Sequence, residues 1–374
     1  EDIEGECVLD RVLEAIRAPM PLAGERVSVS ASVGVTLFPA DDADPDTLLR
    51  HADQAMYRAK QRGRNCIQFF DAEVEAQQRV RKKRLDRLEQ ALTGHEFVLH
   101  YQPQIDMVDG GPLGMEALLR WQHPERGLLA PAEFLPDLEG TELETRLGQW
   151  VIDTALGELE RCRAAGLELC VSVNVGARPL LMPGFVADVR SALERHPDIP
   201  PSRLELEILE STALDDMVLA MDVLNACRRL GVRIALDDFG TGYASLRHFR
   251  QLPVDRLKID RSFVIDMLDD EEARAIVAAV VQLARTFNRE VIAEGVETPA
   301  HSAALVALGC RLGQGYGIAR PMPAAHVPGW FSWQTLAPLA DDATCSSASL
   351  PARARSTPDN EHGRRGIAAV ELEV

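Results

Sequence analysis

No continuous apolar stretch approaches the roughly 18 to 20 residues that a bilayer crossing requires. The longest candidate, Ile276 to Ala284, is about half that length and reads as one face of a buried amphipathic helix. No membrane segment is therefore expected in this chain. Paired cysteines are also missing. Seven stand at Cys7, Cys66, Cys162, Cys170, Cys227, Cys310 and Cys345, with no CxxC pair and no His at zinc spacing. That scatter argues against a disulfide framework or a zinc site and for reduced thiols in a cytoplasmic domain. A basic excess is absent too: 40 Lys and Arg against 58 Asp and Glu leave a formal charge of -18. Such a balance disfavours a nucleic-acid polymer as partner. A small phosphate ester stays open, because carboxylate clusters holding divalent cations attract phosphate. The first residues, EDIEGECVLD, have neither an initiator Met nor the basic-then-apolar pattern of a signal peptide. The sequence thus reads as a piece of a longer protein, whose upstream part could carry a membrane anchor.

What is present is a globular composition, 46% apolar and 26% charged over 374 residues, enough for one large domain with flanking material or for two domains. Val27 to Phe38 alternates apolar and small polar residues and predicts a strand. Thr47 to Lys60 then predicts a helix with Leu48, Leu49, Ala52, Ala55, Met56 and Ala59 on one face, stopped near Gly63. Asn65 to Phe70 reads as a returning strand. From Ala72 to Leu92 the chain turns polar and charged, as in an exposed connecting helix, and its basic run Arg79 to Arg84 reads as a solvated face. The domain junction is placed there.

Beyond it a βα rhythm sets in. Strands are predicted at Val98 to Tyr101, Met115 to Trp121, Cys170 to Val175, Leu204 to Leu209, Arg233 to Phe239, Arg256 to Ile259, Glu290 to Ala293 and Arg311 to Gly315. Eight strands in about 240 residues fit a closed βα barrel, for which about 250 is typical. The alternative, an open doubly wound sheet, lacks its Gly-rich fingerprint after the first strand. From about Ala337 the composition predicts a disordered tail. The division expected is 1–71, 72–92, 93–335 and 336–374.

The polar residues then stand out. Glu116 falls in the second strand, and Asn174, Glu207, Asp237, Asp238, Lys258, Glu294 and Gln314 fall at or near the ends of later ones. In a closed barrel those ends converge on one face. Strand interiors reading VSV, LEL and RIAL have little reason to bear carboxylates unless these are paired or hold metal. Oxygen donors without His or Cys suit hard cations such as Mg²⁺ or Mn²⁺. Adjacent Asp237 and Asp238 suit two ions about 3.5 to 4 Å apart, the usual device for in-line attack on a phosphate. Phosphodiester hydrolysis follows as the reaction class.

The segments YQPQ (Tyr101 to Gln104), MEALLRW (Met115 to Trp121), SVNV (Ser172 to Val175), LELEILES (Leu204 to Ser211), DDFGTGYASL (Asp237 to Leu246), LKID (Leu257 to Asp260), AEGVET (Ala293 to Thr298) and GQGYGIARPMP (Gly313 to Pro323) together resemble an EAL phosphodiesterase domain. The resemblance covers roughly Arg84 to Trp333 and implies a TIM-like βα barrel that hydrolyses cyclic di-GMP to linear pGpG with two Mg²⁺ or Mn²⁺ ions. By that resemblance Glu116, Asn174, Glu207 and Asp237 hold the first ion, and Asp237 bridges to the second, held also by Asp238, with Glu294 close by. Lys258 positions or deprotonates the attacking water and Gln314 orients it. Gln102 and Arg120 contact substrate, Arg120 through a donor fork suited to phosphate. Gly240 and Gly242 give a loop backbone freedom, Glu210 matches the glutamate that anchors it, and a homodimer through the barrel is expected. Leu209 and Ala244 depart from the Thr and Ser common in the family, neither at a metal ligand. A kinase reading of DFG lacks its companion motifs. The competing function is a receptor that binds the dinucleotide without turnover.

At the front, SVSASVGVTLFP followed by LLRHADQAMYRAKQRGRNCIQFFD resembles the C-terminal part of a GGDEF diguanylate cyclase domain, over residues 1 to about 71. The GG(D/E)EF turn of that family is not in this sequence, so the resemblance implies a partial α/β fragment without cyclase activity.

Overall fold

The computed structural model describes residues 2–22, 25–210, 217–240 and 246–336. The chain forms two compact units, Glu1–Leu88 and Glu89–Val374.

In the first unit, helix Asp2–Arg17 precedes a small antiparallel pair, Met20–Leu22 with Glu25–Val27. A βαβ element follows: strand Val33–Val35, helix Pro45–Gln61, and strand Ile67–Phe69 parallel to the first. The helix begins where Asp44 accepts the backbone N–H groups of Asp46 and Thr47, with Pro45 pre-set for the first turn. Its expected stop is met by Gly63, at φ +106°. Gly34 is dictated by packing, since a Cβ there would lie 1.9 Å from the Ala52 carbonyl oxygen of that helix. Two expectations need correction. The single strand over Val27 to Phe38 is two short ones, because residues 28–32 find no ladder partner among the described strands. Leu49 is 69% exposed rather than on the buried stripe, since at 100° per residue it lies about 80° round the helix from buried Ala59. Helix Ala72–Thr93 follows.

The second unit is a closed barrel. Its strands, in order round the ring, are Phe97–Asp106, Pro112–His123, Cys170–Asn174, Leu204–Leu209, Arg233–Phe239, Arg256–Ile259, Glu290–Ala293 and Leu312–Gly313, which pairs back with the first. A uniform βα repeat is not what forms. Phe97–Asp106 runs antiparallel to both neighbours, whereas the other strands are parallel. The physical reason is the short link 107–111, which is too brief for a crossover helix. Asp109-Gly110-Gly111, with Gly110 at φ +71°, makes a tight turn instead.

Alternation along the strands separates two environments. Residues such as Met115, Val171, Val173, Leu206, Ile208, Ile234, Leu236, Leu257 and Ile259 point outward into one apolar cluster with the surrounding helices. Those helices include Glu142–Ala164, Phe185–Arg195, Met217–Leu230 and Glu271–Thr286. Ile276 to Ala284 lies within the last, with Val277, Val280, Val281 and Ala284 buried, and no helix of the described residues is long and apolar enough to cross a membrane. Cys66, Cys162, Cys170, Cys227 and Cys310 are free thiols. The tail expected from Ala337 lies outside the described residues.

The inward positions are polar and come in two layers. Near the N-terminal strand ends, fully buried Arg256 donates to Glu205 at 2.7 Å and to Glu290 at 2.9 Å, and Ser172 donates to Glu205 at 2.9 Å. Two residues further along the same strands lie Asn174, Glu207 and Lys258, in the layer that forms the candidate site.

Candidate active site

Lys258 is the hub. Its ammonium, 1% exposed, lies 2.6 Å from Glu294, 2.7 Å from Glu207, 3.1 Å from Asp237 and 3.7 Å from Glu116. Each partner comes from a different strand or strand end, brought together because the parallel ladders place Glu116, Asn174, Glu207 and Asp237 at neighbouring heights. Glu116 is held on both oxygens: Asn174 donates to Oε1 at 2.8 Å and Gln314 to Oε2 at 2.6 Å.

Asp237 and Asp238 are consecutive, and in a regular strand consecutive side chains face opposite sides. The ladder with Arg256–Ile259 shifts register between Leu236 and Phe239, and Asp238 takes φ +52°. This bulge turns both carboxylates to the same side. Oxygens of Asp237, Asp238 and Glu294 consequently lie within 4.8 Å of one another.

So many carboxylates around one ammonium shift the titration of several of these groups. Burial works against the Lys258 ammonium, yet Asp237, Glu116, Glu207 and Glu294 together hold its pKa well above the ordinary lysine value. Burial, reinforced by the Glu116 charge, pushes Glu207 well above the carboxylate range. Burial and then Asp237 raise Glu294 to about 8, and burial with Asp237 and Asp260 raises Asp238 to about 6. Glu116 is the exception: burial opposes its ionisation, but Lys258, Gln314 and Asn174 prevail and lower its pKa.

The donor set fits divalent cations. It consists of hard oxygens, sets five carboxyl groups around one ammonium, and leaves the buried Oε1 of Glu207 without a hydrogen-bond partner among the described residues. An orphaned acceptor among close carboxylates is a position for a cation.

Of the residues singled out in the sequence, Glu116, Asn174, Glu207, Asp237, Asp238, Lys258, Glu294 and Gln314 share this layer. Gln102 joins it by accepting from Gln314 at 3.0 Å while donating to the Ala319 carbonyl at 3.0 Å. Glu210 is buried and accepts the Gly240 N–H at 3.2 Å, at the start of the expected loop. Gly242 and Ala244 of that loop lie outside the described residues. Arg120 is set apart. It shares the strand face of Glu116 but sits four residues on, about 13 Å along the strand, and donates to the Leu119 carbonyl. Gln104 was missed, although YQPQ places it on the same face as Gln102. The Glu205–Arg256 layer was missed as well; its signal was the doubled Glu of LELE, one member paired and the other in the site.

The sequence matches the EAL domain over residues 85–321 and the diguanylate cyclase GGDEF domain over residues 3–66. It is 40% identical over 328 residues to the bifunctional diguanylate cyclase/cyclic di-GMP phosphodiesterase MucR of Pseudomonas aeruginosa, covering 87% of this chain and 48% of that protein. Against the cyclic di-GMP phosphodiesterase NbdA of the same organism it is 37% identical over 326 residues, covering 87% and 42%. The chain thus spans less than half the length of these curated relatives. The solved MucR phosphodiesterase in complex with c-di-GMP superposes with a TM-score of 0.63 at 43% identity, covering 66% of this chain and 99% of that one. The matched stretch contains all eight barrel strands and the whole carboxylate layer, and the chain belongs to the EAL domain family, with a GGDEF-type segment in front.

Proposed function

We propose that this chain is a metal-dependent phosphodiesterase that hydrolyses cyclic di-GMP to linear pGpG. The observation that carries the reading is the single layer in which Glu116, Asn174, Glu207, Asp237, Asp238 and Glu294 gather round Lys258. The relatives named as cyclic di-GMP phosphodiesterases support the substrate.

Glu116, Asn174, Glu207 and Asp237 would hold one Mg²⁺ or Mn²⁺ ion, and Asp237 with Asp238 a second, with Glu294 beside them. Such ions, when bound, supply charge stabilisation at the phosphate and acidify the attacking water. Lys258 is built as a donor, because the carboxylates around it keep it protonated. Positioning the water suits it better than deprotonating it. Gln314 keeps Glu116 oriented and presents its amide beside the reacting centre. Gln102, fixed between Ala319 and Gln314, and Arg120, further out on the same face as Glu116, would contact the dinucleotide and its phosphate.

The domain reading that goes with this is a GGDEF C-terminal part over 1–71, a connecting helix over 72–92, the catalytic barrel over 93–335 and a tail over 336–374, working in the cytoplasm. The barrel would pair with a second copy. Support comes from Val218, 75% exposed at the start of helix Met217–Leu230. Light scattering should give a dimer that Val218→Glu shifts towards monomer; an unshifted dimer removes this helix from the interface.

The deciding experiment incubates purified protein with cyclic di-GMP and Mg²⁺ or Mn²⁺ and follows pGpG by chromatography, with Glu116→Ala alongside. Product from the parent and none from the variant is expected. Tight binding with no product from the parent would make the chain a receptor.

A further inference from the structure

Gln104 has no part in the roles assigned above. It is 1% exposed and sits two residues beyond Gln102 in Phe97–Asp106, so the period of two turns both amides into the barrel. Across the ladder it faces Gly114, which brings no side chain into that space. Its Nε2 donates to Oε1 of Gln314 at 2.9 Å.

That bond completes a chain of amides. A glutamine amide has one end that donates and one that accepts. Gln314 spends its donor end on Glu116 Oε2 at 2.6 Å and Gln102 Oε1 at 3.0 Å, and its buried acceptor end is met by Gln104. Without Gln104 the acceptor end would be left unpaired in the barrel interior, and the amide would tilt or turn to recover a partner. Either motion takes the donor end away from Glu116.

We infer that Gln104 is a positioning residue for the reaction, holding the Gln314 amide in the orientation that presents its donor end to Glu116. It acts through Gln314 and does not touch substrate. The inference rests on the phosphodiesterase reading for its kinetic consequence but not for its structural one.

A double-mutant cycle tests it. Gln104→Met keeps the side-chain length and removes the donor. It is expected to lower kcat about fivefold to tenfold with KM within about twofold, the worth of one buried hydrogen bond. In a Gln314→Met background the same substitution should change kcat less than about twofold, because the group it orients is gone. An equal loss in both backgrounds, or no loss in the parent, overturns the inference. Circular dichroism melting checks each variant, and Gln104→Leu replaces Gln104→Met if the latter does not fold. The cycle is repeated on Mn²⁺ affinity by calorimetry, which needs no turnover. If the parent hydrolyses nothing, the reaction reading falls. The positioning role then stands if Gln104→Met weakens Mn²⁺ binding in the parent but not beside Gln314→Met, and falls if both backgrounds respond alike.

Discussion

At the scale of single residues, the adjacent aspartates show how backbone and chemistry are tied. Asp238 reaches the site only because it adopts φ +52° in the bulge beside Asp237. Asn tolerates this left-handed region, whereas Ala pays a steric penalty of roughly 1 kcal/mol or more. Asp238→Asn and Asp238→Ala remove the same charge, so the difference between them isolates the backbone. Urea unfolding in the presence of a chelator should find Asp238→Ala less stable by about 1 kcal/mol, while calorimetry finds Mn²⁺ binding weakened in both. Equal stabilities would mean that the bulge relaxes without cost. The pair DD was visible in the sequence as a candidate two-ion feature. The bulge was not, because a register shift arises from how two strands fit and leaves no mark in one of them.

At the scale of elements, strand periodicity carried most of the site. The strand ends named Asn174, Glu207, Asp237 and Lys258, and the ladders brought all four together. Two features escaped. The antiparallel first strand was signalled by Asp109-Gly110-Gly111, yet the βα rhythm of the rest overrode it. The lower layer escaped because Glu205 and Glu207 look alike in LELE, and only the height of each in the barrel separates a structural ion pair from a candidate ligand. That difference predicts opposite behaviour. Glu205→Ala leaves buried Arg256 with Glu290 alone and should cost about 3 kcal/mol of stability, in line with breaking a buried pair. Its Mn²⁺ affinity should change little. Replacing both members, Glu205→Leu with Arg256→Met, should recover much of the loss, since neither charge is then stranded. A Glu205→Ala protein as stable as the parent would deny this layer its structural role.

At the scale of the whole molecule, a chain of formal charge -18 concentrates carboxylates where water is excluded. Without cations the fold keeps some of them protonated: burial and neighbouring charge raise Glu294 to about 8 and Asp238 to about 6, both above the ordinary carboxylate range. The sign follows from proton counts. Between the unfolded and folded values the folded state binds more protons than the unfolded one, so raising the pH through that window draws stability away. The contribution of these groups should therefore decline from about pH 4 to about pH 8 in chelator. Cations bound at these oxygens would supply positive charge in place of the retained protons and, by binding the folded form, add stability by mass action. Their stabilising effect should be larger at pH 8 than at pH 6, because fewer protons then compete for the same oxygens. Melting temperatures measured at both pH values, in chelator and in saturating Mg²⁺ or Mn²⁺, should show the wider gap at pH 8. A gap that is equal at the two, or absent, would mean that these carboxylates are not the cations' ligands.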